Sequence, residues 1–133
     1  MSEPHSRPLR RILALDAATC TVMGLLLIFA AGPVSALTQI SAPLLFWAGL
    51  LLFPIACFMA LVARASQAPA WAVTFIVLGN LLWVIASFVL PLSGAITPNV
   101  FGWIFILAQA AVVALFACLE WSTRGSAETV TSV

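Results

Sequence analysis

The sequence predicts an all-α fold, a bundle of four transmembrane helices, and three observations carry that expectation. Of 133 residues, 64% are hydrophobic and only 7% are charged, with a mean hydropathy of +1.20. The apolar residues gather into four runs of membrane-spanning length, separated by proline, glycine and short polar links. Every arginine falls on the same side of that pattern. A soluble domain carries roughly 25% charged residues, and a chain this short leaves too much surface exposed to hide so many apolar side chains from water. Lipid is the solvent that fits.

The first run extends from Ile12 to Ala31 and ends at Gly32-Pro33. The second extends from Leu44 to Ala63, after Ser41-Ala42-Pro43 and before Arg64. The third, Trp71 to Leu90, follows the link RASQAPA and precedes Pro91. The fourth, Val100 to Leu119, follows Thr97-Pro98-Asn99 and precedes Glu120. About 20 apolar residues cross the hydrocarbon core of a bilayer as a helix. Helix is the expected form because backbone groups in lipid must bond within their own segment. This divides the chain into an N-terminal tail over 1–11, a membrane domain over 12–121 and a C-terminal tail over 122–133.

Arg7, Arg10 and Arg11 precede the first run, Arg64 closes the second and Arg124 follows the fourth, whereas the links 32–43 and 91–99 carry no charge. Positive residues stay cytoplasmic. Both termini and the middle link are therefore expected in the cytoplasm, and arginine to the exclusion of lysine suggests a bacterial cytoplasmic membrane. Trp47, Trp71, Trp103 and Trp121 sit at run ends, where indole rings favour the headgroup zone. The basic start and Val34-Ser35-Ala36 also resemble a secretory signal with a cleavage site. The apolar run exceeds the roughly 7–15 residues of a signal core, however, and Asp16 interrupts it, so a retained helix is expected.

A gapless shift of 56 positions sets Ser41 over Thr97, Trp47 over Trp103, Gly24 over Asn80 and Arg64 over Glu120. The halves then read as two tandem helical hairpins of like orientation. Ala56, Ala60 and Ala63 on the second run, and Ala110, Ala114 and Ala117 on the fourth, are small residues at spacings that let helices approach closely.

The polar residues inside these runs are the candidate functional groups. Counted from the run starts, Asn80 and Gln109 each lie about 14 Å along their helices, at one depth near the midplane. Pro54 lies near the same depth and frees the carbonyl of Leu50, which an amide could reach. Asn80 and Gln109, with Trp83 one turn from Asn80, form a candidate polar layer: an interhelical clamp in the plainer reading, a lining for a substrate path in the other. Asp16, Arg64 and Glu120 form a candidate ionisable cluster near the cytoplasmic face. There the plainer role for Asp16 is a salt bridge to Arg64 or a neighbouring arginine, and the alternative is a proton-carrying carboxyl. Asp16 shares a helical face with Thr19, Cys20 and Met23.

No Ser–His pair, metal cluster or phosphate loop occurs in the sequence, and a formal net charge of +1 offers nothing to nucleic acid. The single histidine, His5, and the isolated Cys20, Cys57 and Cys118 do not make a metal site. No enzyme activity, catalytic residue, cofactor or metal is expected. The expected partners are the lipid bilayer and either further copies of the chain or another membrane protein.

The stretch GNLLWVIASFVLPLSG followed by ITPNVFGWIFILAQAAVVALFACLEW resembles a group of small, uncharacterised bacterial four-helix integral membrane proteins. The resemblance rests on Asn80, Trp83, Ser87, Pro98, Gly102, Gln109 and Glu120, with Asp16 in the first run. It implies a topology and no activity. Small multidrug resistance transporters place a glutamate deeper in the first helix, and dual-topology fluoride channels lack the arginine bias. The sequence thus leaves two functions in view: a non-enzymatic accessory or structural bundle, and a small oligomeric transporter or channel with Asp16 as coupling group.

Overall fold

The computed structural model describes residues 6–131, with side chains described over 7–124, and consists of five helices. They are α1 (Ser6–Phe29), α2 (Ala31–Thr38), α3 (Ala42–Arg64), α4 (Ala70–Leu92) and α5 (Val100–Thr131). Four of them, all but α2, are long and apolar enough to cross a membrane. The chain is an all-α, multi-pass membrane bundle. His5 lies outside the described residues.

The helices outrun the apolar stretches at the arginine-bearing end. α1 starts at Ser6 and not at Ile12, because Arg7, Arg10 and Arg11 are good helix formers and Pro8 falls in the first turn, where no backbone N–H is needed. α5 continues past Glu120 to Thr131 for a similar reason: loss of hydrophobicity ends a span but does not end a helix. The link 32–43 is not a plain turn. After a break at Ala30, the chain forms α2, with Pro33 in its first turn and left-handed Gln39 (φ 60°) closing it.

Asn99 ties the far ends together. Its side-chain oxygen accepts from the Gly102 N–H at 2.8 Å, capping α5. Its amide donates to Leu37 O at 2.9 Å, and its backbone N–H donates to Thr38 O at 3.1 Å. A Cβ on Gly102 would collide with Thr38 O and with the Pro98 ring, so the α2–α5 junction requires glycine there. Ser41 caps α3 in the same manner, accepting from Leu44 N–H at 3.2 Å.

α1 packs along α3, and α4 along α5, so the chain forms two antiparallel hairpins joined through an α1–α5 seam. At the α1–α3 crossing the backbones meet directly. A Cβ on Gly49 would lie 2.8 Å from Leu27 Cβ and 2.9 Å from Gly24 O. The two alanine stripes point inward: Ala56, Ala63, Ala110 and Ala117 are buried, and Ala60 and Ala114 half-buried. They serve packing within the chain. Outward, residues such as Phe29, Trp47, Trp71 and Leu92 are more than 60% exposed, a surface that only lipid would wet favourably.

α3 and α4 touch little, and only near their shared link, where Phe58 packs edge-on against Phe75 at 5.6 Å between ring centroids. The buried residues of α4 are Ala72, Val73, Ile76, Val77 and Asn80, with none beyond. Beyond Asn80 its inner face is only half-buried, and Trp83, Ser87 and Leu90 there line a space shared with α3. The arginine end is a closed core around Leu13, Met59 and Val73, while the opposite half opens between α3 and α4.

Candidate functional site

Three polar side chains meet where the closed half ends. Asp16 of α1 is 2% exposed, Asn80 of α4 is 7% exposed and Glu120 of α5 is wholly buried. The Asn80 amide nitrogen donates both hydrogens across the bundle, to Asp16 Oδ2 at 3.0 Å and to Glu120 Oε1 at 2.9 Å. The two carboxyl groups are thereby held close to each other, one on each hydrogen of a single amide nitrogen. One helical turn on, the Cys20 thiol reaches Asp16 Oδ1 at 3.7 Å. Three of the four spanning helices thus contribute to one polar centre.

Its donors do not balance its acceptors. Two carboxylates present four oxygens, and the amide and a weak thiol donate to three of them. Glu120 Oε2, fully buried, has no hydrogen-bond partner. Where the two carboxyls face each other, acceptor meets acceptor, a contact that only a proton or a cation can make favourable. Neither Arg10 nor Arg64 fills that place. Arg10 Nε donates to Ala63 O at 3.0 Å, meeting a carbonyl in the last turn of α3 where cations are favoured. Arg124 lies over the Trp121 ring at 4.5 Å. Arg64 is exposed and lines a separate crevice between α1 and α3.

A second polar group lies further along α4. Trp83 Nε1 donates to Gln109 Oε1 at 2.8 Å, Gln109 Nε2 donates to Ser87 Oγ at 2.9 Å, and Ser87 Oγ donates to Trp83 O at 2.7 Å. Gln109 also donates to Ile106 O at 3.0 Å. Asn80, Trp83 and Ser87 form one stripe at spacings of three and four, so α4 turns a single polar face to α5.

Between these groups lies a cavity of about 570 Å³, in the half of the bundle where α3 and α4 diverge. Asp16 and Cys20 lie at its inner end and Trp83, Ser87 and Gln109 on its wall, and apolar side chains make up nearly all of the rest. Glu120 is not in the wall; it stands behind Asp16.

The arrangement corrects several sequence expectations. Asn80 does not bond Gln109; it joins Asp16 and Glu120, while Trp83 and Gln109 pair with each other. Neither amide donates to the carbonyl freed by Pro54, since both are satisfied elsewhere, and Pro54 and Leu50 face outward. Neither Arg10 nor Arg64 pairs with Asp16, and Arg64 stands apart from the ionisable cluster. Asp16 lies level with Asn80, as their hydrogen bond requires, each ten residues beyond the first residue of its helix. Counting from the starts of the apolar runs sets the two at different depths. Cys20 and Ser87, not among the candidate site residues, complete the two polar groups. The spacing of Cys20 from Asp16 already sets them on one helical face, and the seven-residue spacing of Ser87 from Asn80 is the signal that could have found the other.

The chain matches no protein-family model, and no curated protein or solved structure matches it. The fold and the buried centre define a multi-pass membrane protein with two carboxyls enclosed among its helices, and its process has to be read from that centre.

Proposed function

We propose that this is a non-enzymatic, proton-linked carrier of a bacterial cytoplasmic membrane, in which Asp16 and Glu120 share one exchangeable proton held in place by Asn80. The carrying observation is a pair of acids, 2% and 0% exposed, bridged by one amide, with Glu120 Oε2 buried and left without a hydrogen bond. A purely structural site would more simply hold apolar residues, since ionisable groups in a membrane interior are expensive and usually functional. One shared proton leaves a single negative charge, which Asn80 and the Cys20 thiol solvate. It also supplies the donor that the carboxyl–carboxyl contact lacks. Asp16, the member in the cavity wall, is the coupling group, and Glu120 holds the proton behind it. By the arginine pattern both termini face the cytoplasm.

The accessory reading draws on the Trp83–Gln109–Ser87 group, which is fully satisfied and ties α4 to α5 as a clamp would. That clamp is compatible with either role. Proton movement separates them. In dye-loaded proteoliposomes with an imposed pH gradient, wild type is expected to dissipate the gradient faster than Asp16→Asn at equal amounts of folded protein. Equal decay rates would refute the carrier and leave the accessory bundle.

A further inference from the structure

We propose that the cavity binds a lipophilic monovalent cation, an amine or onium with aromatic or alkyl bulk, which enters sideways between α3 and α4 and displaces the proton shared by Asp16 and Glu120. This rests on the proton-holding centre described above.

The space comes first. At about 570 Å³ the cavity falls within the roughly 300–1,000 Å³ of sites for drug-sized ligands. Exposed residues of both α3 and α4, among them Leu51 and Ala86, line it, so it opens between those two helices on the apolar outer surface of the bundle. A ligand that dissolves in lipid therefore reaches it without crossing the bundle.

Charge selects the class. Asp16 is the only carboxyl in the wall, and no arginine lines it. The remaining lining is apolar apart from Thr19, Cys20, Ser87 and Gln109, and it includes the rings of Trp47, Trp83, Phe105 and Phe116. An apolar chamber with one acid at its inner end and aromatic faces around it is complementary to an apolar cation. Ring faces attract cations most when water is excluded. A lipophilic anion would meet an acid with no compensating base, and a neutral lipid tail would leave the acid unused.

The exchange balances. With the proton bound, the centre carries one negative charge. The incoming cation adds one positive charge, the carboxyl O–H bond breaks and one proton leaves to solvent, so the site's net charge is unchanged. The groups facing the centre that bear on this are Cys20 on α1, Asn80 on α4 and Glu120 on α5. α3 contributes only apolar side chains to the wall, and α2 contributes nothing titratable.

The probes are tetraphenylphosphonium and tetraphenylborate, near-identical in shape and opposite in charge, titrated into the full chain in mild detergent. Saturable 1:1 binding of the phosphonium is expected, with close to one proton released per cation in weak buffer. Its affinity is expected to rise as the solution is made alkaline, by up to tenfold per pH unit while the centre is protonated. Asp16→Asn is expected to weaken binding at least tenfold and abolish the proton release. Ala86→Phe, which fills the wall without touching the acids, is expected to block the phosphonium and keep the proton. Equal or tighter binding of the borate, or unchanged binding by both variants, overturns the proposal. If the phosphonium fails to bind while infrared spectra still show a protonated carboxyl, the ligand class falls and the proton centre stands. Without that carboxyl signal both fall.

Discussion

Replacing Asn80 with leucine removes both donors from the carboxyl pair while keeping the branched outline and the number of side-chain heavy atoms, and its cost depends on whether the pair is charged. Between neutral groups in a membrane, an interhelical hydrogen bond contributes about 0.6 kcal/mol, so two such bonds amount to about 1 kcal/mol. A bond to a charged acceptor is worth about 1.5–3 kcal/mol. With one proton on the pair, one Asn80 bond at 2.9–3.0 Å meets a neutral carboxyl and the other a carboxylate. The expected loss is therefore about 2–4 kcal/mol. Gln109→Leu supplies the internal standard, because its partners Trp83 and Ser87 are neutral and half-buried, and about 1 kcal/mol is expected. Both are measured by equilibrium unfolding in mixed micelles of mild detergent and dodecyl sulfate. Adding Glu120→Gln to Asn80→Leu closes a double-mutant cycle, where a coupling of about 1–3 kcal/mol is expected. An Asn80→Leu loss no larger than that of Gln109→Leu, with no coupling to Glu120, would refute a charged centre.

Further outcomes follow from the packing and the caps. Gly49→Ala should destabilise the bundle by about 1–3 kcal/mol, because the new Cβ would press on Leu27 and on the Gly24 carbonyl. Gly79→Ala, with open space around it, should be neutral or slightly stabilising by helix propensity; the same unfolding assay compares them. Asn99→Ala removes the α5 cap and the tie to α2, and a loss of about 1–2 kcal/mol is expected there, measured likewise. A reporter active only in the cytoplasm, fused after Val133, should be active, and moving positive charge into the link 91–99 should reduce that activity.

The span count was legible because hydrophobic run length is a one-dimensional property, and the all-α bundle follows from it. α2 was hidden because Ala31–Thr38 is too short to show a period against the apolar background on either side. The α1–α3 crossing was missed for a related reason. Gly24 and Gly49 lie on different helices, and only the fold shows their backbones touching, whereas alanine stripes within one helix are visible by spacing. Asp16, Asn80, Trp83 and Gln109 stood out as polar residues in apolar runs, and Glu120 as the residue that ends one. Their grouping did not, since it depends on where each helix begins. How far α1 is shifted along α4 and α5 is set by packing, and that shift brings Asp16 to the level of Asn80. The 56-residue shift sets Gly24 over Asn80, yet one forms a close backbone contact and the other the polar centre. Likeness between the halves, if read from that shift, does not extend to the site.

The central claim is that Asp16 and Glu120 hold one proton between them. Infrared difference spectra of the protein in lipid, recorded between acid and alkaline solution and in H2O against D2O, test it most directly. A single protonated-carboxyl band that shifts in D2O, disappears on raising the pH and is absent from the Asp16→Asn Glu120→Gln double variant is the predicted result. A wild-type spectrum indistinguishable from that of the double variant would contradict it, because the two acids would then hold no exchangeable proton.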